Sequence, residues 1–367
     1  MKKLIRIWLL CGVVPCLGQE ASLKEVFKGS FRMGTAVNEE MMQDPMVKRQ
    51  FNTVTPENIM KAEELSPSPG VYDFIKADAF VRWAEGMHIV GHTLIWHNQT
   101  PAWFFEKADE SRKSPEEVKE QLRVHIEKVA GRYAGRVHAW DVVNEVIDDD
   151  GSYRPTLWVN GVGSGDELVK LAFKYASQYA PNTELYYNDF NAWRPEKVKG
   201  IVRMVKMLQA EGIRIDGVGI QGHWGLNYPK NQYIEEAIDA YAACGIKVMI
   251  TELDVDVLPL TREGQIIGQG MMHKQFQNEE FKIYLDPYRS GLPVAVEEAL
   301  AARYRELFAL FYRKRAKIDR VTLWGMRDGM SWKNDYPIPG RINYPLLWNR
   351  DGSAKPAFSS VVGVIQP

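Results

Sequence analysis

Cysteine is scarce in this chain: three residues in 367, at positions 11, 16 and 244. The first two fall in what reads as a leader, and a lone Cys244 can close no internal disulfide and supplies no thiolate cluster. Its place at an apolar helix end reads as a buried, inert thiol. An excess of one charge is also missing. With 46 basic and 47 acidic side chains the formal net charge is −1, which gives nucleic acid or an anionic membrane nothing to hold. No Ser/Pro/Thr-rich linker, low-complexity tract or short repeat divides the chain. No glycine-rich phosphate loop follows the first strand pattern, which disfavours a doubly wound dinucleotide fold.

What is present begins with residues 1–18. Lys2, Lys3 and Arg6 precede an apolar stretch from Ile7 to Leu17, the pattern of a signal peptide. The stretch is too short to span a bilayer, so no membrane span is expected, and cleavage is expected near Gly18–Glu20. Losing those three residues takes 46 basic side chains to 43 against 47 acids, a net charge of about −4. The expectation is secretion or a periplasmic location; lipid attachment at Cys16 is the alternative, which Pro15 disfavours.

Residues 19–367 show one alternation throughout: short apolar runs, each followed by a helical period. The strand candidates are Phe31–Ala36, Phe51–Thr55, Ile89–Trp96, Val137–Val143, Leu185–Asn188, Gly217–Gln221, Val248–Thr251 and Val321–Trp324. Helical patterns follow at roughly 38–50, 72–86, 115–134, 166–180, 195–211, 231–243, 295–317 and 356–365. Most runs are apolar without alternation, which suits parallel strands covered on both faces. Ser114-Pro115-Glu116 reads as a helix start, and Gly212 and Gly245 as helix ends. Eight βα units imply a single α/β domain, a (β/α)8 barrel. The stretch 256–293 after the seventh strand is long for a loop and reads as an insertion, with 265–291 weakly periodic.

The active site of such a barrel lies at the C-terminal ends of its strands, and that is where the polar residues gather. Two glutamates stand out. Glu145 closes the fourth strand pattern and Glu252 the seventh, which face each other across a barrel. A single strand-end acid is usually only a solvated loop residue. Two facing acids match glycoside hydrolysis, which needs a proton donor for the leaving oxygen and an ionised group at the anomeric carbon. Glu252 then needs a partner that keeps it ionised and aimed; His223 is the candidate, with Asp254 behind it to orient the ring. Glu57 and Lys61 lie at i,i+4 after Thr55-Pro56, where the bland reading is a helical ion pair. Trp332 lies in a polar, Gly/Pro-rich loop, where a sugar platform is a better reading than core. Nothing in the pattern calls for a metal or other cofactor: His92, His97 and His223 lack a His-x-His pair ending the first strand.

These blocks together resemble glycoside hydrolase family 10, the endo-β-1,4-xylanases. The matching segments are Val54-Thr55-Pro56-Glu57-Asn58 with Met60-Lys61, Gly91 through His97, Trp140 through Glu145, Tyr187-Asn188-Asp189, Gly217 through His223, Ile250 through Asp254, and Trp324-Gly325 with Ser331-Trp332. They run in the family's order from about residue 24 to the end. The resemblance implies that Glu145 is the acid/base, Glu252 the nucleophile, and Asn144 a hydrogen-bond partner of the sugar 2-hydroxyl. It implies that Lys61, His92, Trp96 and Gln221 line the sugar at the cleavage point. Glu57 and Asn58 would hold the next sugar, and Trp324 and Trp332 would wall the cleft. The implied activity is retaining endo-hydrolysis of xylan and xylo-oligosaccharides by a monomer. A retaining β-glucanase on the same barrel is the alternative. One departure stands out: Phe190 occupies a position where many members carry Tyr.

Overall fold

The computed structural model describes residues 21–257, 286–336 and 339–365. Nine parallel strands appear among them: β1 Arg32–Val37, β2 Thr53–Pro56, β3 His88–Ile95, β4 Ala139–Asn144, β5 Glu184–Asp189, β6 Gly217–Ile220, β7 His223–Gly225, β8 Lys247–Asp256 and β9 Ile318–Leu323. Each pairs with its neighbour from β6 back to β1, then β1 pairs with β9 and β9 with β8, and a β6–β8 pairing closes the ring. Eight strands thus form the (β/α)8 barrel, with helices between them.

The expected strands and helices are found with ends moved by a few residues. The apolar runs are buried because both faces are covered: every residue of β4 is buried, with Trp140 and Val142 fully so. The helix at Pro115–Arg132 starts where the sequence said. Ser114 Oγ accepts from the Glu117 N–H (3.3 Å), Glu117 Oε2 accepts from the Ser114 N–H (2.7 Å), and Pro115 occupies the first turn. Gly212 and Gly245, at φ +66° and +75°, turn the chain out of two helices.

Three expectations need correction. The eight strand candidates form the barrel but left out β7, an additional strand only three residues long. Gly222 (φ +88°) bends the chain after Gln221, and residues 223–225 rejoin the sheet beside the extended end of β8, with His223 opposite Asp254. A Cβ at position 222 would lie 3.2 Å from Ile250 Cγ2 and 3.3 Å from Leu253 Cα, so glycine suits both the bend and the close approach. Residues 57–60 form a turn and not a helical one; Lys61 is extended (ψ 153°) and only caps the short helix Ala62–Leu65. Cys244 is partly exposed, in the turn after the helix Asn231–Ala242. Of the expected insertion 256–293, residues 258–285 lie outside the described residues, as does the whole expected leader, residues 1–18. Among the described residues no helix is long and apolar enough to cross a membrane.

Candidate active site

Both glutamates sit at the C-terminal mouth of the barrel and both are nearly buried, Glu145 at 8% and Glu252 at 5% exposure. Glu145 follows the last residue of β4 in the left-handed region, at φ +60°. A non-glycine residue there is held by its surroundings. The Glu145 N–H donates to Asn188 O at 2.9 Å, and Arg154 Nε donates to Glu145 O at 3.2 Å. Glu252 lies within β8, where its N–H donates to Gln221 O at 2.6 Å.

The two carboxylates have different partners. Glu145 takes only neutral donors: Trp96 Nε1 at 2.8 Å on Oε2, and Gln221 Nε2 at 2.8 Å and Asn144 Nδ2 at 3.3 Å on Oε1. Glu252 Oε1 accepts from Asn188 Nδ2 at 2.7 Å, and its Oε2 faces His223 Nε2 at 3.1 Å. His223 Nδ1 in turn meets Asp254 Oδ2 at 3.0 Å. Burial works against a charge on this imidazole, but Asp254 and Glu252 outweigh it and push its pKa up to about 9. Asp254 is held below the usual carboxylate range: burial opposes this, and His223 and Lys333 prevail. At neutral pH a positive charge therefore faces Glu252, and among the described residues none is hydrogen-bonded to the Glu145 carboxylate.

Asn188 links the halves of the site. Its Nδ2 donates to Glu252 Oε1 and to Asn144 Oδ1 (2.9 Å), and its Oδ1 accepts from Thr251 Oγ1 at 2.6 Å. With the Asn144–Glu145 contact this makes one hydrogen-bonded path from carboxylate to carboxylate across β4, β5 and β8. Asn188 was legible only as part of a strand-end block and was not picked out singly.

Around this centre the remaining candidates converge. Lys61 Nζ donates to Asn58 Oδ1 and Gln99 Oε1, both at 2.8 Å, and lies 4.7 Å above the Trp96 ring. Burial lowers its pKa, against the pull of Glu252, Glu57 and Glu145. Glu57 is shifted up, chiefly by burial, with Lys61 opposing. His92 Nδ1 meets buried Asp141 Oδ2 at 2.9 Å, and its ring stands edge-on to Trp324 at 5.3 Å. Trp324 is buried, while Trp332, 37% exposed, stands steeply inclined to the His223 ring at 5.0 Å between centroids. Gln99 and Asp141 join the site without having been singled out. Phe190 packs under cations: Lys197 Nζ lies 4.1 Å and the Arg154 guanidinium 5.2 Å from its ring.

An eight-stranded barrel with two such carboxylates at its mouth defines a glycoside hydrolase of the barrel class. The family model described as "Glycosyl hydrolase family 10" matches residues 22–364. An endo-1,4-beta-xylanase A of Xylanibacter ruminicola is 37% identical, with 99% of each chain covered. An endo-1,4-beta-xylanase of Geobacillus stearothermophilus is 36% identical over 97% of this chain and 100% of that one. Among solved structures, a GH10 endoxylanase retrieved from a sugarcane soil metagenome superposes with a TM-score of 0.85 at 39% identity, covering 94% of this chain and 99% of that one. The chain belongs to glycoside hydrolase family 10.

Proposed function

We propose that the protein is a retaining endo-1,4-β-xylanase that cleaves internal bonds of xylan by double displacement. The observation that carries this reading is the unequal pairing of two buried carboxylates, Glu252 on the His223–Asp254 pair and Glu145 on neutral donors. In the first step Glu145 gives its proton to the glycosidic oxygen while Glu252 attacks the anomeric carbon. The C–O bond breaks, the aglycone leaves, and a glycosyl ester on Glu252 remains. In the second step Glu145 takes a proton from water, which attacks the same carbon and frees Glu252 with net retention. Asn144, oriented by Asn188, offers its amide to the sugar 2-hydroxyl. Lys61, His92, Trp96 and Gln221 line the sugar at the cleavage point, Glu57 and Asn58 hold the next sugar, and Trp324 and Trp332 wall the cleft. Xylose is uncharged, so aromatic faces and hydrogen bonds must carry recognition.

The test is hydrolysis of linear and decorated xylan beside a mixed-linkage β-glucan, with the anomer first formed followed by NMR. β-Anomer from xylan supports the reading; α-anomer, or a preference for glucan, overturns it. The roles are assigned by Glu145→Ala and Glu252→Ala with added azide and an activated aryl xyloside. Azide in place of the base yields a β-azide from Glu145→Ala, and azide in place of the nucleophile yields an α-azide from Glu252→Ala. Export with removal of residues 1–18 is part of the same reading, and N-terminal sequencing of protein collected from the medium or periplasm tests it.

A further inference from the structure

The end of β8 reads Glu252-Leu253-Asp254-Val255-Asp256. Successive strand residues point to opposite faces, so three carboxylates line one side of a single strand. Like charges so placed repel unless cations lie between them. The structure supplies one for each gap. His223, from β7, lies between Glu252 (3.1 Å) and Asp254 (3.0 Å). Lys333, from the loop after β9, lies between Asp254 Oδ1 (3.6 Å) and Asp256 Oδ2 (3.8 Å). Arg341 Nη2 closes the series 3.3 Å from Asp256 Oδ1. The result is a ladder of alternating sign that runs from the nucleophile to the loop carrying Trp332.

Within it Asp254 has a divided task. Its Oδ2 takes both His223 Nδ1 and Trp332 Nε1, the latter at 2.9 Å. Among the described residues its Oδ1 is buried with no hydrogen bond and has the Lys333 ammonium as its ionic neighbour. Lys333 is itself 4% exposed and lies 4.7 Å over the Trp332 ring. Among the described residues the Tyr304 phenol, from the helix Val294–Arg313, also lies near Asp254 and donates away from it to Pro345 O.

We propose that Lys333 is a positioning residue for the glycosidase reaction: it fixes Asp254, which then aims His223 at the nucleophile and holds the Trp332 indole at the sugar cleft. The proposal rests on Glu252 being the nucleophile, which the azide products test separately. An ammonium in this place makes the local potential more positive along the whole ladder. Its loss makes the Glu252–His223 unit hold a proton to higher pH. One loop thereby ties the chemistry of the nucleophile to the wall that recognises the sugar.

The experiment is the pH dependence of kcat/KM on a soluble aryl β-xylobioside. Lys333→Met moves the acidic limb to higher pH by about half a unit or more. It also lowers kcat roughly tenfold and raises KM as Trp332 loosens. Lys333→Arg restores the limb. Asp256→Asn leaves Lys333 to Asp254 alone and moves the limb the other way, to lower pH. A residue needed only for packing would lower Tm and leave the limb in place. The proposal is overturned if the acidic limb of Lys333→Met coincides with that of the parent. Should that variant not fold, an unmoved limb in Asp256→Asn overturns it equally.

Discussion

Asn188 Nδ2 lies 2.7 Å from Glu252 Oε1, and the same nitrogen reaches Asn144 Oδ1 at 2.9 Å. A side chain of β5 thus sets the distance between groups on β4 and β8. The amide has no spare direction, since its oxygen is taken by Thr251. Glu252 is held on both oxygens before any sugar arrives, and that is what a group attacking along one line requires.

Asn188→Ala should therefore cost activity far more than stability. It frees Glu252 Oε1 and leaves Asn144 Oδ1 without its donor. The expected result is a fall in kcat of about 10- to 100-fold on xylan, with KM changed much less. Steady-state kinetics check this, with circular dichroism showing that the fold is kept. A variant with near-normal kcat would mean that Asn188 is a packing residue.

Gly91 predicts a steric effect. A Cβ added there would lie 2.2 Å from Cε3 and Cζ3 of Trp140, a side chain that is fully buried. The far end of a flexible chain could yield; an indole buried against Tyr133, at the end of the helix Pro115–Arg132, cannot. Gly91→Ala should destabilise the protein by about 2 kcal/mol or more, read as a lower urea midpoint. The neighbouring His92 would shift with the backbone, so activity should fall with stability.

The barrel and the paired glutamates were legible in the sequence because each signal is local. An apolar run shows a strand, and an acid at its end shows which mouth it faces. What stayed hidden depends on register or on distance along the chain. The bridge made by Asn188 exists only because β4, β5 and β8 align their ends. Lys333 follows Asp254 by a whole helix and the whole of β9, and nothing in a loop of mixed polarity marks its ammonium as turned inward. The three residues of β7 are too few to show a period. Spacing alone misled at Glu57 and Lys61: four residues apart suggested one helical turn, yet the chain is extended at Lys61, and its ammonium goes to Asn58 and Gln99.

Behind Glu145 lies a second buried pair, and it makes a prediction with a definite sign. Lys197 Nζ is 2.8 Å from Asp189 Oδ1, and neither side chain reaches solvent. Burial pushes the Asp189 carboxyl up from 3.8 to about 7; Glu145 adds to this, while Lys197 and Tyr187 act against it. A carboxyl raised in the folded state keeps its proton where the unfolded chain has lost it. Its contribution to stability therefore declines as pH rises from about 4 to about 7. Lys197→Met removes the counter-charge and carries that decline to higher pH. The variant should lie close to the parent at pH 5 and be less stable by about 1 kcal/mol at pH 8, as measured by urea unfolding at both pH values. An equal deficit at the two would show that the loss is one of packing.

His223 gives the opposite trend. Its folded pKa of about 9 lies above the ordinary 6.5, with burial opposing and Asp254 and Glu252 prevailing. A base whose pKa is raised by folding stabilises the protein fully below 6.5, and that stabilisation is lost as pH rises through about 9. The ring is 16% exposed at its side chain, so solvent screening is modest, and the difference corresponds to roughly 3 kcal/mol. His223→Gln keeps a donor and an acceptor but cannot carry the charge. The parent should exceed it in stability by the largest margin near pH 6, and the two unfolding curves should approach each other between pH 7 and 10. Activity of the variant should be low throughout, because Glu252 then faces an amide and not a cation. A stability gap that stays constant to pH 10 would mean that His223 is neutral in the folded protein, and the unequal charge that assigns the two glutamates their roles would be lost with it.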